Sequence, residues 1–148
     1  MNNELIKPKS WRKRNWKWLL PVSGLTIIFI ILFFSTGMGS VVANITKAYA
    51  DTDLYLKALE KVKSDQRVIE LLGEIEPIDK LSILEGSVEY LDDNKTVNSS
   101  IRVKGKKLNA RMDIVAIRIN NKWNYEKINI RVKNPPEKKQ TIEIITAE

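Results

Sequence analysis

The sequence predicts an α+β protein: one N-terminal transmembrane helix, then a small domain of two short helices packed on a four- to five-stranded antiparallel sheet. Three observations carry that expectation. Trp18 to Thr46 is 29 residues without a charged side chain, Leu54 to Leu72 sets apolar residues at helical spacing, and from Lys80 the apolar period falls to two.

The apolar heart of the uncharged run, Leu19 to Val42, is 24 residues, about 36 Å long as a helix. A hydrocarbon core is about 30 Å thick, so this segment spans it with some tilt. Before it, Lys7, Lys9, Arg12, Lys13, Arg14 and Lys17 oppose Glu4 alone, whereas residues 47–61 carry only Lys47, Lys57 and Lys61 as cations. The positive-inside bias leaves the N-terminus in the cytoplasm and sends the rest across the inner (cytoplasmic) membrane. Trp11, Trp16 and Trp18, set among Arg12, Lys13, Arg14 and Lys17, suit the headgroup layer and complete a candidate membrane anchor. The expected organisation is a basic, Trp-rich cytoplasmic tract (1–18), a transmembrane helix (19–43), a polar juncture (44–53) and an extracytoplasmic domain (54–148).

Three other features of this region bear on function. Ala48-Tyr49-Ala50 matches a signal-peptidase triplet, but a signal peptide's apolar core is usually about 7 to 15 residues, so a retained anchor is expected. The Trp11–Trp18 tract interleaves bases with aromatics, as base-stacking surfaces do. It is short and abuts a span, which marks a topogenic signal, and no nucleic-acid partner is expected. Ser35, Gly39 and Ala43 fall at i, i+4 and i+8 and form a candidate helix-packing face for a membrane protein partner.

The formal charge of +7 divides unevenly. Six cations against one acid precede Trp18, giving +5, and nineteen against seventeen follow Thr46, giving +2. The excess therefore reports the collar and not a nucleic-acid-binding domain. The chain has no cysteine and no histidine, which removes thiolate and imidazole ligands, a histidine-based triad, a cysteine nucleophile and any disulfide. No metal, cofactor or catalytic residue is expected, and the domain must be held by its core alone.

Within the domain, Leu54, Tyr55, Ala58, Leu59 and Val62 predict a helix capped by Asp51, Thr52 or Asp53. Val68, Ile69 and Leu72 predict a second, opened by Ser64 or Asp65 and stopped by Gly73. Pro77 ends the helical region, and Leu84, Gly86, Val88 and Tyr90 are expected on one face of a first strand, with Asp92-Asp93-Asn94-Lys95 as its turn. Val97, Ser99, Ile101 and Val103 alternate with polar residues as a half-buried second strand, turned at Gly105-Lys106. Leu108 to Ile119, apolar on both faces over Ile114–Ile117, reads as the central strand. Asn120-Asn121 suits a type I′ turn, and the fourth strand changes phase near Glu126-Lys127, as at a β-bulge. An edge strand over Thr141 to Ile145 closes the meander, with Ile142 and Ile144 on its inner face.

Chemistry is sparse in this pattern. Glu85, Glu89, Asp92 and Asp93 read as solvated carboxylates rather than an acid-base pair, and no phosphate loop or nucleophile elbow is present. Lys104-Gly105-Lys106-Lys107 reads as a solubilising hairpin tip that, if it contacts anything, meets an acidic partner surface or anionic headgroups.

Taken together, these segments resemble the bacterial form of the cytochrome oxidase complex assembly protein 1 family, which is related to the intermembrane-space domain of the mitochondrial translocase subunit Tim twenty-one. The similarity rests on Lys9-Ser10-Trp11-Arg12-Lys13-Arg14-Asn15-Trp16-Lys17-Trp18 running into the span, Ala58-Leu59, Val68 to Glu74, Gly86-Ser87, Gly105-Lys106-Lys107 and Lys122-Trp123 in that order. It covers nearly the whole chain, and the N-terminal tract and the Leu-Leu-Gly-Glu region are its distinctive parts. Ile75-Glu76-Pro77 departs from the pattern, in which the proline lies nearer the Gly-Glu pair. The resemblance implies a single-pass, non-enzymatic assembly factor whose extracytoplasmic domain holds an immature terminal oxidase subunit. The alternatives left open are an envelope-anchored sensory or ligand-binding module and a substrate-handling subunit of a translocase.

Overall fold

A computed structural model describes residues 10–146, the Lys13 side chain excepted. Glu4, Lys7 and Lys9 of the basic tract lie outside the described residues. The chain divides into two units, Met1–Gly39 and Ser40–Glu148.

The first unit is dominated by helix α1, Trp11–Ser35. Its hydroxyls are satisfied locally: Ser23 Oγ donates to the Leu20 carbonyl at 3.0 Å and Thr26 Oγ1 to that of Val22 at 2.9 Å. Such back-bonding leaves few bare polar groups on an apolar surface. One continuous helix was expected over residues 19–43, but the path breaks at Thr36-Gly37, where Gly37 takes φ +74°. Thr36 and Gly37 donate their N–H groups to Leu32 and Phe34 and close the last turn of α1, the left-handed helix end that glycine adopts without penalty. Helix α2, Met38–Ala50, starts directly afterwards.

In the second unit, α2 ends within the fold. The stretch expected as a polar juncture is helical to Ala50, and Ala48 is fully buried. Helix α3, Thr52–Lys63, buries Leu54, Tyr55, Ala58, Leu59 and Val62, the stripe its spacing predicts. Helix α4, Gln66–Leu72, is capped by the Asp65 carboxylate on the Arg67 N–H and ends at Gly73, φ +75°. A third short helix, α5, Lys80–Leu84, replaces the start of the expected first strand. Asp79 opens it by accepting from the Ser82 N–H at 2.6 Å and the Ser82 hydroxyl at 2.7 Å. Leu84 therefore lies on a helix and not on a strand face.

Five antiparallel strands follow in the spatial order of the sequence: β1 Ser87–Leu91, β2 Thr96–Lys104, β3 Asn109–Ile119, β4 Lys122–Val132 and β5 Gln140–Thr146. Asp92, Asp93 and Asn94 at one turn and Asn120 and Asn121 at another take positive φ, a backbone region that short polar side chains tolerate. The bulge expected near Glu126 is present: Val115 pairs with Lys127 but Ala116 with Tyr125, so Glu126 is the extra residue. A second bulge was not expected. Ile128 pairs with Ile145 and Asn129 with Glu143, which leaves Ile144 over and puts Ile145, not Ile144, opposite the buried Ile128.

One face of the sheet carries Val97, Ile101, Val103, Met112, Ile114, Ile128, Ile130 and Val132, all buried against the helices in a single cluster. Each aliphatic side chain removed from water in this way contributes about 1.5–3 kcal/mol. Glycine is required at the sheet's crowded start, because a Cβ at Gly86 would lie 2.5 Å from the Ser100 carbonyl oxygen. The opposite face carries Asn98, Ser100, Arg102, Arg111, Asp113 and Arg131 together with the half-buried Val115 and Ile117.

Candidate functional site

The residues expected to anchor the chain fall on α1. Trp11, Arg12, Arg14, Trp16, Lys17 and Trp18 are exposed there, and an 18-residue window of mean hydropathy 2.3, none of it buried, lies within the 22-residue stretch Arg14–Ser35. At about 1.5 Å per residue this is roughly 33 Å, long and apolar enough to cross a bilayer. Trp11, Trp18, Leu19 and Val22 line one shallow apolar depression with Asn15 and Ser23. The break at Gly37 divides the small-residue stripe. Ser35 is the last residue of α1, while Gly39 and Ala43 keep their four-residue spacing on α2.

Where the chain enters the domain, three segments distant in sequence meet. The Asp51 carboxylate accepts from Arg118 Nη2 at 2.6 Å and from the Tyr90 hydroxyl at 2.9 Å. Asp51, one of the three residues expected as possible caps of α3, stands at its start without bonding its N–H groups and instead clamps the sheet. The Arg118 guanidinium lies 4.2 Å from the centre of the Trp123 ring, a favourable cation–π placement. Lys47 near the end of α2 bonds Asn94 in the β1–β2 turn and lies over the Tyr90 ring. Burial, with the Asp51 carboxylate beside it, raises the Tyr90 hydroxyl well above the usual tyrosine range. This knot fixes the end of α2 to the β1–β2 turn and the start of α3 to β1 and β3.

The carboxylates singled out in the sequence are not brought together. Glu85 pairs with Arg102 at 2.7 Å, Asp92 accepts from Thr96 at 2.8 Å, and Glu89 lies on the polar face of β1. Among the described residues no three acidic side chains are placed to hold a metal ion. Trp123 and Tyr125 border an open depression with Lys57, Glu60, Lys61 and Ser64 rather than an enclosed apolar cavity. Tyr125 is engaged structurally: its hydroxyl donates to the Leu54 carbonyl at 2.6 Å, and burial pushes its pKa up to about 12.

Two features of the sheet's periphery stand out. Strand β5 forms one edge of the sheet, and its Glu143 carbonyl accepts from Arg67 Nη2 at 2.9 Å. At the end of the sheet holding the β2–β3 loop, an open groove of about 610 Å³ is lined by Arg102, Lys106, Lys107, Arg111, Arg131 and Lys133, with Glu85 its one acid. Sequence reading took the lysines of this loop as a hairpin tip. It missed the arginines, which come together only through the strand register.

A family model described as cytochrome oxidase complex assembly protein 1 matches residues 26–146, a span that takes in the last ten residues of α1, all of α2 and the whole sheet. The chain belongs to that family. No curated protein and no solved structure matches it.

Proposed function

We propose that this chain is a single-pass assembly factor, held in the inner membrane with its N-terminus cytoplasmic, whose extracytoplasmic domain binds an immature subunit of a respiratory terminal oxidase. The observation that carries the reading is a family match running from Thr26, inside the apolar helix, to Thr146 at the end of the sheet domain. A sequence without cysteine or histidine is consistent with action by contact, while other proteins deliver copper and haem. Gly39 and Ala43 on α2 offer a face for close helix approach, and the β5 edge offers backbone groups to an added strand.

Deleting the gene tests this directly. Assembled oxidase, read from haem spectra and respiration, falls while the subunits are still synthesised, and mild-detergent purification of the tagged chain brings an oxidase subunit with it. Leu at both Gly39 and Ala43 weakens that capture and leaves the domain folded. Normal spectra and respiration in the deletion strain, with no oxidase subunit in the purified fraction, would overturn the proposal.

A further inference from the structure

We infer that the groove beside the β2–β3 loop is a docking site for an acidic, extended segment of a partner protein. The pairing of the strands places Arg102 directly opposite Arg111 and Arg111 directly opposite Arg131, so three guanidiniums stand in a row across β2, β3 and β4. Directly opposed residues on antiparallel strands have Cα atoms about 4.5–5.5 Å apart, and like charges there destabilise a sheet.

The two outer arginines are compensated. Arg102 pairs with Glu85 at 2.7 Å, and Arg131 holds Asp113 with two nitrogens at 2.9 and 2.8 Å. Arg111, between them, forms no ion pair among the described residues and reaches only the Glu85 carbonyl oxygen, at 3.5 Å. Lys106 pairs with Glu74 and Lys107 bonds the Glu70 carbonyl, while Lys133 has no ionic partner among the described residues. Repulsion concentrated on one uncompensated guanidinium, inside a groove with a single acid, is relieved by a carboxylate supplied from outside. A planar fork is suited to hold it through two hydrogen bonds.

The surroundings favour a protein segment over lipid headgroups. The part of the chain after the span carries a net charge of only +2, so the groove is a local concentration and not a generally basic surface. It also lies at the far end of the sheet from the Lys47–Asn94 contact where the chain enters the domain. The nine residues of β2 run between the two, roughly 27 Å at strand rise.

The test uses the full chain in nanodiscs of zwitterionic phosphatidylcholine and a fluorescein-labelled peptide of alternating Glu and Gly, with a Gln-Gly peptide as control. The Glu peptide binds, the Gln peptide does not, and binding weakens as salt shortens the screening length. Arg111→Gln lowers the affinity about tenfold while the thermal midpoint stays level or rises, because the central like charge is gone; Arg111→Lys falls between. A lower midpoint with unchanged peptide binding would make the row a structural feature and overturn the inference. So would Arg111-dependent binding to phosphatidylglycerol vesicles with none to the peptide, which would assign the groove to lipid. Because the readout is a synthetic peptide on the purified chain, its failure leaves the oxidase reading standing, and failure of that reading leaves the groove.

Discussion

Ile101 on β2 and Ile114 on β3 are both enclosed, at 0% and 1% exposure, and their burial follows from strict alternation along each strand. Truncating either to Ala is expected to cost about 2–5 kcal/mol in denaturant unfolding, the lost transfer energy plus the cavity left behind. A cost near zero at both positions would mean that the strand phases are wrong. Asp79 works by charge instead. The Lys104 ammonium at 2.8 Å, with the Ser82 hydroxyl and N–H, holds its carboxyl well below the usual carboxylate range. A carboxylate with a depressed folded value stabilises above its unfolded value, about 3.9, and loses that contribution as pH falls through the folded one. The thermal midpoint of the wild-type protein therefore declines as pH drops below about 4, and Asp79→Asn shows a shallower decline over the same range.

At the scale of elements, the knot of Asp51, Tyr90 and Arg118 ties α3 to β1 and β3. Side-chain exposures of 25% for Asp51 and 30% for Arg118 put the pair mostly out of water, where a charge-assisted bond contributes about 1.5–3 kcal/mol. Asp51→Asn and Arg118→Gln are each expected to destabilise the domain, and the double-mutant cycle should return a coupling of about 0.5–3 kcal/mol. Independent, additive effects would show that the bond holds nothing. None of this was legible in the sequence, because Asp51 read as one of three candidate caps, with Thr52 and Asp53, and its partners lie 39 and 67 residues away. The helical stripes, the turn asparagines and the first bulge were legible, since spacing and backbone preference act locally. Helix α5 was not. Five residues hold too little periodicity to outweigh a neighbouring strand pattern, and the useful signal was Asp79 three residues before Ser82, a cap. The break at Gly37 was hidden for the opposite reason, because hydropathy stays high through the residues that end one helix and begin the next. The arginine row depends on the register of three strands and one bulge, which no single segment encodes.

At the scale of the whole molecule, the open question is whether the apolar helix stays on the protein that performs the function. Six cations against one acid before the span predict that protease added to spheroplasts removes the domain, and that C-terminal reporters are active only where exported. Protection of the C-terminus would reverse the orientation. Retention of the anchor can be argued from packing as well as from length. A cleaved leader contributes nothing to the fold it delivers, whereas here Ala48 is fully buried in the domain core, Lys47 bonds the β1–β2 turn, and the Tyr49 hydroxyl donates to the Lys80 carbonyl at 3.2 Å. Cutting after Ala50 would strip all three contacts and place a new ammonium on Asp51, the residue that clamps Arg118 and Tyr90. The intact mass of the protein extracted from membranes is therefore expected to match the uncut span. A domain expressed from Asp51 should have a lower thermal midpoint than one expressed from Ser40, which keeps the last turns of α2. Finding Asp51 as the mature N-terminus, or equal midpoints for the two domains, would mean that this end of α2 is not part of the working fold.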